Sequence, residues 1–180
     1  MSITLKPLLQ AHWGAVRAVF EEGIAAGLAT FEVAAPDWRG WDAAHRPDCR
    51  FVALEDEVVV GWAALSPVSA RAAYAGVAEV SVYVAQAHQG RGIGRRLLEA
   101  LITCSETEGV WTLQAVVFPQ NAVSLAVHRR VGFREVGRRE RVARLRGVWQ
   151  DTVLLERRSR LVGSTSLTQN PDAGSGGRIV

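Results

Sequence analysis

Between Gln89 and Arg95 the chain reads Gln-Gly-Arg-Gly-Ile-Gly-Arg, with glycine at every second position and arginine between and after. Glycine frees the backbone to bend and to approach a ligand closely. Immediately upstream, Ser-Val-Tyr-Val has the β-branched and aromatic character of a strand. Immediately downstream, Ile93, Leu97, Leu98, Leu101 and Ile102 recur at helical spacing. The bend therefore leads into a helix N-terminus, where unpaired N–H groups and the helix dipole favour negative charge. The chemistry this arrangement suits is the binding of an anion of diphosphate size.

Two familiar phosphate loops do not fit. No G-x-x-x-x-G-K-[ST] string is present, and Arg95 stands where the third glycine of G-x-G-x-x-G would fall. The bend must instead be understood through the elements around it. Residues 3–8 alternate as a strand, and Trp13, Val16, Val19/Phe20 and Ile24 mark a first helix. Pro36 opens a short second helix running to about Arg46. Phe51–Leu54 and Val58–Leu65 form a hairpin around the acidic turn Glu55-Asp56-Glu57. A loop or short helix over Ser66–Gly76 precedes the strand Ala78–Val84. After the glycine bend and its helix, Trp111–Phe118 is a strand, Asn121 is the N-cap of a short helix, and Phe133–Arg144 and Val148–Leu155 are closing antiparallel strands. This order predicts a single α/β (α+β) domain over residues 1–160. Its sheet is mixed and flanked by helices, with one parallel strand–helix–strand unit from Ala78 to Phe118. Residues 161–180 are polar and glycine-rich and read as a disordered tail, native or appended.

The bulk properties agree with one globular domain. The chain has 180 residues, 48% hydrophobic and 22% charged, with a formal net charge of +3. No run is long enough to span a membrane and no signal peptide is visible, so the expectation is a cytoplasmic protein with no membrane partner. Cys49 and Cys104 lack metal-ligand spacing, and no metal is expected; they read as buried small hydrophobic residues rather than a redox pair. The basic run Arg138–Arg146 reads as the solvated face of a hairpin, with a nucleic-acid stripe the lesser alternative.

The string Q-x-x-G-x-G, carried by Gln89, Gly92 and Gly94 between strand and helix, closely resembles the acetyl-CoA motif of the GNAT superfamily of N-acetyltransferases. A second segment, Asn121 through Gly132-Phe133, resembles the family's downstream motif. The resemblance extends to the phosphinothricin and methionine sulfoximine acetyltransferase branch through Ala29–Glu32, Gly61–Pro67, Arg71–Tyr74, Glu79–Val84, His128 and Gly147–Asp151. It covers about residues 3–157. Two departures lie near the expected acceptor side: Val68 stands where the branch carries an aromatic residue, and Ala143–Gly147 rewrites the approach to the final tryptophan.

The resemblance implies a site. The backbone of Val82, Tyr83 and Val84 would pair with the pantetheine arm of acetyl-CoA as an added strand does. The N–H groups of Gly90, Arg91, Gly92, Ile93, Gly94 and Arg95 would hold its diphosphate, with Arg91 and Arg95 adding charge, and Asn121 would bind pantetheine. Glu79 would be the general base, and His128 would exchange a proton as acid or base. Arg71 would clamp the carboxylate of a small-molecule amine substrate in a pocket shaped by Phe31 and Tyr74. By spacing alone, Glu79 is equally an ordinary strand glutamate, His128 a satisfied helix histidine, Arg71 a solvated loop residue and Asn121 a simple cap. The implied activity is acetylation of the α-amine of phosphinothricin, methionine sulfoximine or a similar analogue, in a homodimer that binds no nucleic acid. The alternatives are another amine (a peptide N-terminus, a polyamine or an aminoglycoside), a non-catalytic CoA sensor, or a nucleic-acid module.

Overall fold

The computed structural model describes residues 2–163; most of the predicted tail, from residue 164 onward, lies outside the described residues. Seven strands form one sheet: β1 (Ile3–Pro7), β2 (Arg50–Glu55), β3 (Val58–Pro67), β4 (Val77–Val84), β5 (Thr112–Val117), β6 (Arg134–Leu145) and β7 (Val148–Arg158). Their order across the sheet is β1-β2-β3-β4-β5-β7-β6. Every neighbouring pair is antiparallel except β4 and β5, which are parallel. Four α-helices among the described residues accompany the sheet: α1 (Trp13–Ala26), α2 (Trp38–Ala44), α3 (Ile93–Thr107) and α4 (Ala122–Arg130). The sequence-derived order of elements is the observed one. The exchange of the last two strands, which seats β7 against β5 and leaves β6 at the edge, carries no sequence signature.

The side-chain periods explain the layering. Val16, Val19, Phe20 and Ile24 of α1 and Trp41 of α2 pack with Val52, Leu54, Trp62 and Ala64 on one sheet face. On the other, Ile93, Leu97, Leu98 and Leu101 of α3 meet Ala63, Leu65, Ala78, Val80, Leu113, Ala115 and Leu155. In β4 this alternation sends Ala78 and Val80 towards α3 and Glu79, Ser81 and Tyr83 to the opposite face. Tyr83 stacks on Trp62 at 4.7 Å and meets Phe20 edge-on at 4.9 Å. Gly23 of α1 makes that packing possible, since a Cβ there would stand 2.7 Å from the Tyr83 ring.

The second helix starts at Trp38, after Pro36, and ends at Ala44, short of Arg46. The Asp37 carboxylate accepts from the Gly40 N–H at 2.8 Å to start α2, and Gly27 closes α1 in the left-handed region. The basic run on β6 follows the hairpin expectation. Arg138 pairs with Asp151, Arg144 lies over Trp149, and a register shift between Arg139 and Ala143 interrupts the ladder. An arginine-rich, bulged edge strand resists pairing with foreign strands.

The cysteines correct the expectation. They are joined as a disulfide, with Cα atoms 5.5 Å apart across 55 residues of sequence. Packing of α3 on the sheet brings its last turn against the residue preceding β2, an approach that separation in sequence does not reveal. Closing a loop of that length restricts the unfolded chain by up to about 4 kcal/mol in the chain-entropy account. Reduction, or Cys104→Ser, is expected to lower the unfolding free energy by up to that amount, read as a lower midpoint in urea titration with and without reductant.

Candidate active site

The site grows from a fork in the sheet. β4 pairs with β3 along its length, from Ala78 opposite Pro67 to Val84 opposite Gly61. With β5 it pairs only at Val77–Thr112, Ala78–Leu113 and Glu79–Gln114. Beyond Glu79 the two strands part while β5 continues along β7. Val80 to Val84 therefore offer main-chain groups on the β5 side with no ladder to join, the arrangement needed to accept an extended arm as an extra strand.

At the far end of β4 the chain turns through Gln86–His88 and the glycine bend into α3. Gly90 and Gly92 take φ of 75° and 78°, left-handed values that only glycine adopts without strain. A Cβ at either would meet nothing within 4 Å. Backbone conformation rather than crowding within the protein thus requires these two glycines. The Arg96 N–H, bonded to the Gly92 carbonyl at 3.1 Å, is the first in α3 with a main-chain acceptor. The N–H groups of Ile93, Gly94 and Arg95 remain free for an anion, which fits a diphosphate.

The side chains around the bend differ from expectation. Arg91 places its two terminal nitrogens 2.9 and 2.5 Å from the Glu55 carboxylate, and Arg95 pairs with Glu99 at 2.8 Å along α3. Neither guanidinium stands free over the helix tip. The Gln89 amide donates to the Val84 carbonyl at 3.3 Å, bracing the bend against the strand. Asn121 caps α4 by accepting from the Ser124 N–H at 3.0 Å and donates to the Leu28 carbonyl at 2.9 Å, so its amide joins α4 to the loop after α1.

At the mouth of the fork lies a hollow of about 260 Å³, bordered by Phe31, Glu32, Glu79, Ser81, Ser124 and His128 among others. The structure thus brings Glu79, His128 and Phe31 together. Phe31 is held edge-on by Phe118 at 4.8 Å. Burial pushes the Glu79 carboxyl up, with Arg139 opposing. His128 is 2% exposed, and burial lowers its pKa against the opposing hydrogen bond to Ser124. Its Nδ1 lies 2.8 Å from the Ser124 carbonyl, which can only accept, so the neutral ring carries its proton on Nδ1. Nε2 then holds a bare lone pair and has no hydrogen-bond partner among the described residues. In its resting form the imidazole is a proton acceptor.

Arg71 and Tyr74 do not reach this hollow. They border a second, more open one of about 530 Å³, floored by Val77, Thr112 and Gln114. Val77 and Gln114 share a sheet face with Glu79, so the two hollows are neighbours along one trough. Arg71 rests over the Tyr74 ring at 5.8 Å. Residues missed from the sequence are Glu32, Ser124 and Glu55. Ser124 precedes His128 by four positions on one helix, a spacing that could have signalled the tautomer-setting contact; Glu55 was legible only as part of an acidic turn.

The two perturbed groups make a sign-definite prediction for stability. Glu79 has a raised folded pKa, so its ionisation opposes folding as pH rises from the ordinary 4.5 through the folded value. His128 has a lowered folded pKa, so stability is intact above 6.5 and is lost as pH falls below it. Glu79→Gln should therefore match or exceed the parent in Tm at neutral pH, the advantage vanishing in acid. His128→Phe should flatten the loss below 6.5. Thermal melts across a pH series check both.

Comparison with known proteins supplies the wider context. The model of the acetyltransferase (GNAT) family matches residues 16–133. The phosphinothricin N-acetyltransferase of Alcaligenes faecalis is 33% identical over 154 residues, covering 79% of this chain and 76% of that protein. The L-methionine sulfoximine/L-methionine sulfone acetyltransferase of Pseudomonas paraeruginosa is 33% identical over 98 residues, spanning 54% of this chain and 57% of that relative. Among solved structures, a GNAT superfamily phosphinothricin acetyltransferase from Sinorhizobium meliloti in complex with AcCoA superposes with a TM-score of 0.82 at 26% identity. That match covers 96% of this chain and 98% of the other. With the forked sheet, the glycine bend and the matched segment all in one chain, this protein belongs to the GNAT acetyltransferase family.

Proposed function

We propose that the protein transfers an acetyl group from acetyl-CoA to the α-amine of a small amino-acid analogue of the phosphinothricin or methionine sulfoximine type. The observation that carries the reading is the placement of Glu79 and His128, with Phe31, around one small hollow at the mouth of the fork. The donor supplies an activated acetyl thioester when bound along the open edge of β4 with its diphosphate at the tip of α3. The chain's own residues then manage protons and orientation.

An amine attacks only when neutral, and an α-ammonium with a pKa of roughly 8 must first lose a proton. Glu79, with its carboxyl pushed up by burial, is closer in proton affinity to that task than an ordinary carboxylate. Glu32 adds a second negative group at the rim, favouring an ammonium. His128, neutral with its Nε2 lone pair bare, takes a proton before it can give one. Its position therefore suits a relay that, once Glu79 has taken the first proton, receives the second one shed by the nitrogen after attack and passes it to the leaving thiolate. Phe31 limits the width of the acceptor. Arg71, one step along the trough, is the group available for the carboxylate of the same molecule.

A hollow of about 260 Å³ beside Glu79 and His128 accommodates a small acceptor. Exposed Val136, Val142, Val148 and Trp149 on the last hairpin fit a homodimer contact, which sedimentation can measure.

Thiol release should appear with phosphinothricin or methionine sulfoximine and be absent with aminoglycosides; turnover confined to aminoglycosides removes the acceptor assignment. Glu79→Gln should lower kcat by about 10²-fold or more. Acetyl-CoA should raise Tm by mass action. Gly92→Glu should abolish that shift, because it places a negative side chain at the tip of α3 and strains a φ of 78°.

A further inference from the structure

The glycine bend has little of its own to hold it in shape. Gly90 and Gly92 are exposed, and a Cβ at either position would meet no neighbour. Three links tie the segment's start to the fold: the Ala85 N–H to the Val60 carbonyl at 2.9 Å, the Gln86 N–H to the Glu22 carboxylate at 2.7 Å, and the Gln89 amide to Val84. Past Gln89 the Gly92 carbonyl accepts from the Arg96 N–H and Ile93 is buried, and the side-chain restraint on the bend comes from the end of β2. Glu55 is 8% exposed there, its backbone fixed by register with Ile3 and Val58. Its two carboxylate oxygens each take one Arg91 nitrogen, and His88 Nε2 stands 3.3 Å from Oε2.

We propose that Glu55 is a positioning residue of the donor site: by holding Arg91 and His88 it fixes the Gly90–Gly92 bend that presents the N–H groups of α3. Arg91 then acts as a strut between sheet and bend, not as a ligand of the diphosphate. Charge favours this assignment. Glu55 cancels Arg91, so the pair adds no net attraction for an anion. Moving Arg91 onto a phosphate would cost Glu55 its two-point partner and leave the carboxylate facing His88 alone. The bidentate fork also fixes orientation as well as distance, which suits a brace for a glycine-rich segment. The anion is then held mainly by main-chain N–H groups and the helix dipole.

This inference rests on the donor reading above, and its test separates the two. Calorimetric titration of CoA is compared for the parent, Glu55→Gln, Arg91→Met and the double variant over a range of salt concentrations. Amide hydrogen exchange is followed in the same proteins without ligand. Each single variant is expected to weaken CoA binding by about tenfold, with the double variant no weaker than either, as for residues acting as one unit. The dependence of affinity on salt should keep the parent's slope in Arg91→Met. Exchange across residues 85–92 should accelerate in both single variants while β3 and β4 keep their protection, which general destabilisation would not produce. Tighter binding in Glu55→Gln, a shallower salt slope in Arg91→Met, or unchanged exchange at the bend would each overturn the proposal. Absence of CoA binding by the parent removes the donor reading and the inference's bearing on it, and the exchange result still decides whether Glu55 braces the bend.

Discussion

The interaction on which the rest depends is the short parallel pairing between β4 and β5, and above all its end. Three register pairs join the strands before they separate past Glu79 and Gln114. A longer ladder would consume the main-chain groups of Val80–Val84 and close the hollow against His128. A shorter one would release Glu79 from its fixed place. Two opposing restraints set the fork's width. β3 holds β4 along its length, and β7 does the same for β5. The site is thus a defect in the sheet, kept open by complete pairing on both sides.

Several features follow from that geometry. Residues on one face of β4 point into the fork, so the strand's period of two places Glu79 and Ser81 at the hollow and Tyr83 among Trp62 and Phe20. Burial raises the Tyr83 phenol to about 12. The same burial raises Glu79 and lowers His128, drawing the proton affinities of an acid and a base towards each other. The Ser124 carbonyl assigns the histidine's tautomer through helical i, i+4 spacing.

Much of this was legible in the sequence, for identifiable reasons. Long periodic segments such as Ile93–Ile102 and the alternating Ala78–Val84 give their own type, and Asn121 announces its cap. The glycine bend is recognisable because its residues serve backbone conformation, a local property. What could not be read depends on distant contacts. Arg91 looks like a phosphate ligand until Glu55 comes beside it. Arg71 looks like part of the Glu79 pocket until the loop carrying it comes to rest over the adjacent hollow. Cys49 and Cys104 look like independent core residues until α3 packs. In each case the residue types were visible and the partner was not, because the partner lies on another element of the fold.

The swapped order of the last two strands has a consequence for biosynthesis. β5 is flanked by β4, made before it, and by β7, the last strand among the described residues. While a ribosome is still translating the final hairpin, one edge of β5 stays bare and the cleft lacks its second wall. Catalytic competence therefore arrives late, only once the segment through Arg158 has cleared the exit tunnel and docked. Nascent chains halted short of that point would leave bare the edge of β5 that pairs antiparallel with β7.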